Sequence, residues 1–192
     1  MRSVIVADNS MDLVSVKLIR DRTITYGSQI RCSSDLWETV SPLLEDIDRE
    51  VFAVINVNTR HQPINMNIVS MGAVNHTYVE PREVFKASIL SNATDIFLCH
   101  NHPSGNVKPS MEDEMLTERL VEAGEILGLN VLDHIIVSPN HTYYSFVEEG
   151  KMQQIKENVQ SRRMIVADRT EKFYSEKGLR MDLHPETENL EF

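Results

Sequence analysis

The chain has 192 residues, enough for one sizeable domain with a true core and too few for two domains of ordinary size. Hydrophobic residues make up 41% and charged residues 25%, and no stretch approaches the ~18 continuous apolar residues of a membrane helix, so composition predicts a soluble globular protein without a membrane span. The formal charge of −10 falls on residues 1–150, which hold 11 Lys and Arg against 21 Asp and Glu, while residues 151–192 hold eight of each; this makes a broad nucleic-acid surface unexpected and leaves room only for a local basic patch. Cys32 and Cys99 form no disulfide framework, and the first residues carry neither a long apolar run nor a small-residue cleavage site, which together point to the cytoplasm.

Residues 1–30 contain short β-like runs, Val4-Ile5-Val6 and Val14 to Ile19, and read as a strand-rich opening segment. Ser33-Ser34-Asp35 supplies N-cap chemistry for a helix carrying Leu36, Val40, Leu43, Leu44 and Ile47, which Pro42 is expected to kink or divide. Two strands follow, roughly Val51 to Val57 and Ile64 to Val69, the first apolar enough to be buried on both faces. Pro81 and Glu83 favour a helix start, with Val84, Phe85, Ile89 and Leu90 as its buried stripe.

Ile96 to His100 reads as a central strand ending in polar residues, followed by a loop from Asn101 to Pro109. Ser110 caps a helix to Leu127, with Leu116, Leu120, Ala123 and Leu127 on one face and Gly128 ending it. Strands near Val131 to Val137 and Thr142 to Phe146 are joined at Pro139-Asn140. Residues 151–192 read as a polar extension, partly helical from about Glu148 to Arg163, with Asp182 to Phe192 poorly ordered. Alternating strands and helices predict an α/β domain over residues 31–150, with helices packed on a mixed sheet.

The chemistry concentrates in His100-Asn101-His102-Pro103 and Pro109-Ser110-Met111-Glu112-Asp113. In an extended segment residues two apart point the same way, so His100 and His102 can offer both imidazoles to one ion. Asp113 falls in the first helical turn, where backbone N–H groups keep a carboxylate ionised. Two imidazoles and a carboxylate match the three-ligand pattern of catalytic zinc, which keeps a fourth position open. A His pair alone arises often by chance and Ser-x-x-Asp alone is most often a capping box, but their joint occurrence is far more specific. The letters His-Asn-His do not indicate an HNH nuclease, whose three residues are spread over a ββα unit.

The pattern H-x-H-P-x(6)-S-x-x-D is the signature of JAB/MPN (JAMM) metalloprotease domains, and the longer string His-Asn-His-Pro-Ser-Gly with Pro-Ser-x-x-Asp resembles the RadC family in particular. The resemblance runs over roughly residues 30–150 and includes Arg49-Glu50-Val51-Phe52, Pro81 to Ala87, Leu132 to Val137 and Tyr143 to Phe146. The family's usual N-terminal helix-hairpin-helix region is not apparent. The resemblance implies a JAB/MPN-like, cytidine-deaminase-like three-layer fold and zinc-dependent hydrolysis of a peptide or isopeptide bond. It also implies that Glu50 is the general base. Glu83 is the competing base, and a surface glutamate beside Arg49 is the plain structural alternative for Glu50.

Ser110 is expected to cap the helix and, by the resemblance, to hydrogen-bond an oxyanion. Asp133 and His134 are read as closing a strand end in preference to orienting ligands from behind. Cys99, on the opposite strand face from His100, is read as a core thiol, and His61, His76, His141 and His184 as non-catalytic. A non-catalytic MPN scaffold and a DNA-repair-associated or DNA-binding protein are the competing functions. The first has no need of a full ligand set, and the acidic domain argues against the second. Substrate and oligomeric state carry no readable code.

Overall fold

In the computed structural model, residues 13, 15–24, 26, 27, 29–72 and 79–177 are described. Among them a mixed five-stranded sheet separates two helical layers. The elements run α1 (Ser33–Leu44), β1 (Val51–Val57), β2 (Pro63–Met71), α2 (Pro81–Leu90), β3 (Asp95–Asn101), α3 (Met111–Leu127), β4 (Asn130–Ser138), β5 (Thr142–Ser145) and α4 (Lys151–Glu176). The strand order is β2-β1-β3-β4-β5, with β3 and β4 parallel and the other neighbours antiparallel. The expected α/β three-layer architecture is therefore present.

Every residue of β1 and β3 is buried, which accounts for their continuous apolar runs, since central strands are covered on both faces. Alternation sends Phe52, Val54, Ile96, Leu98 and Ile136 into the core shared with α2, α3 and α4, and sends Ala53, Ile55, Phe97, Cys99 and Ile135 into the core under α1. A bulge interrupts this parity in β4: Ile96 pairs with Val131, but Phe97 pairs with Asp133, so Leu132 is the extra residue. Leu132 and Asp133 consequently both face α1, and His134 turns to the opposite side, toward α3.

α1 departs from expectation in its start and in its proline. Cys32 occupies the N-cap with no side-chain cap bond, and Asp35 reaches back to accept from the Arg31 N–H at 2.9 Å. Ser33 is turned inward instead. Pro42 neither divides nor ends the helix at once, because it lies in the last turn. The buried stripes also shift: α2 buries Val84, Phe85, Ala87 and Ser88 while Ile89 is exposed, and α3 buries Thr117, Leu120, Val121 and Gly124 while Leu127 is exposed. Gly128 ends α3 at φ 69°, a left-handed conformation natural to glycine.

The strand-rich opening is not found among the described residues before α1, which contain no strand. Val16 and Ile19 are exposed there, and the segment's bonds to the domain include Tyr26 Oη donating to the Pro63 carbonyl and the Ile30 N–H to His61. Apolar alternation without a paired neighbour satisfies no strand hydrogen bonds. Val4 to Val6 and Asp182 to Phe192 lie outside the described residues. The C-terminal helix runs 13 residues beyond the expected end at Arg163, to Glu176, and Met152, Ile155 and Val159 plug it into the α3 side of the core. No described helix is long and apolar enough to cross a membrane.

Candidate metal centre

Three elements meet at the carboxyl end of β3. His100 is on the strand, on the same face as Ile96 and Leu98. His102 lies just past the strand, yet its N–H still bonds the Val137 carbonyl of β4 at 2.9 Å, so the extended geometry continues and both imidazoles project to one side. The intervening loop folds back through the Gly105 N–H to the His102 carbonyl, and α3 then begins at the Ser110 cap. There Ser110 Oγ accepts from the Asp113 N–H at 3.1 Å, while Asp113 Oδ2 accepts from the Ser110 N–H at 2.8 Å, closing a capping box.

The ligating atoms of His100, His102 and Asp113 all lie within 4.8 Å of one another. His100 Nε2 is 3.0 Å from His102 Nε2 and 3.3 Å from Asp113 Oδ1, and His102 Nε2 is 3.6 Å from Asp113 Oδ2. A tetrahedral ion with bonds of about 2.0–2.1 Å separates its donors by about 3.3–3.4 Å, so the group has the size a small divalent cation needs. The donor chemistry fits as well. His102 Nδ1 is 2.6 Å from the Asn106 carbonyl, which can only accept, so neutral His102 carries its proton on Nδ1 and presents a bare Nε2.

Electrostatics favour the ligating protonation states of His100 and Asp113 and draw His102 toward its protonated form. Burial lowers the His100 pKa to about 4, against the opposing charge of Asp113, so its imidazole is neutral at pH 7. On His102 burial is the largest single influence and pulls the pKa down, but hydrogen bonds donated to Asp113 and to the Asn106 carbonyl and the charges of Asp113 and Glu50 outweigh it and leave the pKa raised. Burial likewise pushes Asp113 upward, and is outweighed by His102, His100 and Ser110, which hold the carboxyl well below its ordinary range. The carboxylate is ionised.

Glu50 reaches this site through strand register. Phe52 lies opposite His100 across β1 and β3, so Glu50, two residues before Phe52, falls at the level of His102, two residues after His100. Its carboxylate and the three candidate ligands line one cleft of about 900 Å³, walled by Phe52, Val79 and Met115 with Lys108 and Arg119 at the side. Glu83 does not line it and pairs with Lys86 and Arg82 on the exposed face of α2. Ser110 Oγ lines the cleft and currently donates to Asp113 Oδ2 at 2.6 Å.

Sequence reasoning missed Asn101. Sandwiched between the histidines, its fully buried side chain points away from them and ties down the segment that carries Glu50. Its Oδ1 accepts from the Val51 N–H at 2.7 Å, and its Nδ2 donates to the Ile47 and Arg49 carbonyls at 3.1 and 3.0 Å. Every hydrogen-bonding group of the amide but one lone pair is thereby used. Its position in the His-Asn-His string was the available signal. Asp133 accepts four hydrogen bonds, from Ser33, Ser145, His134 N and Val147 N, away from the cleft. His134 lies behind His100, with its Nε2 2.8 Å from His100 Nδ1. Cys99 faces the α1 core, and burial raises its pKa. His61 and His141 sit in turns, away from the cleft residues, and His76 and His184 lie outside the described residues.

The model of the RadC-like JAB domain matches residues 30–151, and the chain belongs to this family. A UPF0758 protein of Desulforamulus reducens is 48% identical over 111 residues, covering 58% of this chain and 49% of that protein. One from Methanosarcina acetivorans is 40% identical over 120 residues, 62% of this chain and 52% of the relative, and one from Alkaliphilus metalliredigens is 37% identical over 155 residues, 79% and 66% respectively. The chain spans about half the length of most of these curated relatives.

Proposed function

We propose that the cleft is the active site of a zinc-dependent hydrolase that cleaves a peptide or isopeptide bond, with His100, His102 and Asp113 holding the metal. The observation that carries this reading is the convergence of a neutral buried imidazole, a second imidazole with a bare Nε2 and an ionised carboxylate on one open cleft that also holds Glu50. Zinc, when bound, supplies a Lewis acid that polarises a carbonyl and acidifies water.

The chain's own groups do the rest. Glu50 takes the proton of the attacking water and delivers it to the departing amine, the work of a general base that becomes a general acid. Asn101 fixes the Glu50 segment relative to the ligands, so the base is positioned before substrate arrives. The Ser110 hydroxyl is the oxyanion donor, provided its proton leaves Asp113 Oδ2 once that carboxylate is engaged by the metal. Phe52, Val79 and Met115 exclude water from one wall and offer apolar contact to the substrate chain.

Glu50→Gln tests the assignment because glutamine keeps the shape and loses the base. The variant should retain about one zinc per chain, and turnover on any peptide or isopeptide substrate found with the wild type should fall by ~10²–10⁴. Glu83→Gln is the control and should turn over at the wild-type rate. Full activity in Glu50→Gln removes Glu50 from the mechanism.

A further inference from the structure

We infer that His134 and Thr117 form a positioning relay that fixes the tautomer of His100, so that Nε2 is held bare toward the metal position. This rests on the metal site proposed above and extends it to two residues that touch neither the metal position nor the cleft.

Three contacts run in series. Thr117 Oγ1 is 2.6 Å from the Asp113 carbonyl and 2.7 Å from His134 Nδ1, and His134 Nε2 is 2.8 Å from His100 Nδ1. A carbonyl only accepts and a hydroxyl has one proton, so Thr117 gives that proton to the Asp113 carbonyl and must accept from His134. His134 therefore carries its proton on Nδ1 and offers Nε2 as an acceptor. His100 fills that acceptor with its own Nδ1–H, and its Nε2 is left with a lone pair. Reversing every proton would strip the Asp113 carbonyl of the Thr117 donor and put a proton on His100 Nε2, where a metal ligand must have none. The series begins at the backbone of one candidate ligand and ends on the ring of another.

Packing prevents escape from this arrangement. His134 is fully buried, stacked on Phe146 at 4.8 Å and set edge-on to Phe52 at 5.6 Å. The β4 bulge at Leu132 is what turns its ring to this side of the sheet. Metal-ligating histidines ordinarily donate their second N–H to a carboxylate, a carbonyl or water. Here the acceptor is another imidazole, which can accept at Nε2 only while its own proton sits on Nδ1, and Thr117 Oγ1 is placed to hold that proton there.

The tautomers can be read directly by long-range ¹H–¹⁵N NMR on the full-length, Zn²⁺-loaded wild type. Both His100 and His134 should show protons on Nδ1 and none on Nε2; a proton on His134 Nε2 overturns the relay. Zn²⁺ affinity, measured by chelator competition on the stripped full chain, should fall ~10–100-fold in His134→Phe, the usual cost of removing such a partner. Thr117→Val should weaken binding in the same direction, and Thr117→Ser should restore it. Equal Zn²⁺ affinity in wild type and His134→Phe also defeats the inference. Should His134→Phe fail to fold, the Thr117 pair and the wild-type spectrum still decide. Failure of the wild type to bind stoichiometric Zn²⁺, or binding unaffected by His100→Ala, would instead defeat the metal site itself.

Discussion

Two polar clusters, one buried and one opening on the cleft, sit back to back across the sheet, and they spend their hydrogen bonds differently. Beneath α1, Asp133 accepts from Ser33 Oγ at 3.0 Å, Ser145 Oγ at 2.7 Å, His134 N at 2.7 Å and Val147 N at 3.0 Å, so both oxygens are saturated by the protein. On the α3 side, His100, His102 and Asp113 turn their ligating atoms toward one another and toward the cleft. A closed set of donors and acceptors stabilises the fold. An open set of like acceptors is useful only with a cation to share. One bulge serves both clusters, because Leu132 as the extra residue puts Asp133 on one face and His134 on the other.

The contrast can be broken by removing each cluster in turn. His100→Ala with His102→Ala should take zinc from about one per chain to none, measured by elemental analysis, and leave the fold cooperative. Asp133→Ala should do the reverse. It orphans the buried His134 N–H and leaves the part-buried Val147 N–H to water, so the folded fraction should keep its zinc while stability drops by about 1–3 kcal/mol in denaturant titration. Loss of metal without loss of stability in Asp133→Ala would erase the distinction.

Acid sharpens it next. In zinc-free protein, His100 is held to about 4 and burial lowers His134 as well, so between pH 6.5 and 4 the unfolded chain takes up protons that the folded imidazoles refuse. Stability therefore falls with pH over that window, by about 3 kcal/mol from His100 alone. His102 opposes part of this, since its raised pKa contributes stability below 6.5 that is lost as pH rises. Asp133, raised chiefly by burial, also works in the opposite direction, contributing stability at low pH that is lost as pH rises through its folded pKa. In chelator-treated protein the midpoint drop from pH 7 to 4.5 should be smaller in His100→Gln than in the wild type, and an equal drop would show that the His100 imidazole is not held neutral.

Asn101→Ala probes the joint between ligands and base. It frees the Val51 N–H and two carbonyls and should cost about 1–3 kcal/mol. Zinc content should persist and turnover should fall, because Glu50 loses its anchor. Unchanged turnover would mean that strand pairing alone positions the base.

How much of this was legible depended on sequence distance. His100, His102, Ser110 and Asp113 lie within 14 residues, and strand parity and a capping box are local rules, so their common direction could be read from spacing. Glu50 arrives by β1–β3 register, and only the family resemblance singled it out. Thr117, Asn101 and the face of His134 were hidden, since each depends on a partner 17 to 50 residues away or on a bulge that no periodicity marks. The described part of the opening segment, which contains no strand, shows the converse: its alternation is local, but a strand needs a neighbour.

The smallest effect is expected at the far end of α4. Its buried anchors end at Val159, and Arg162 and Arg163 close the contact through ion pairs with Glu118 and Glu125 on α3. Beyond them Met164, Ile165, Val166 and Phe173 are exposed, so those side chains lose little burial when removed. Truncation after Arg163 should therefore leave unfolding cooperative and zinc content unchanged. Truncation after Gly150 removes Met152, Ile155 and Val159 from the core, each worth about 1.5–3 kcal/mol on burial, a sum that rivals the total stability of a domain. Cooperative unfolding with bound zinc in the first protein and its loss in the second would place the boundary between working domain and dispensable helix at the α3 ion pairs. Loss of cooperativity in the first would move that boundary into residues 164–176.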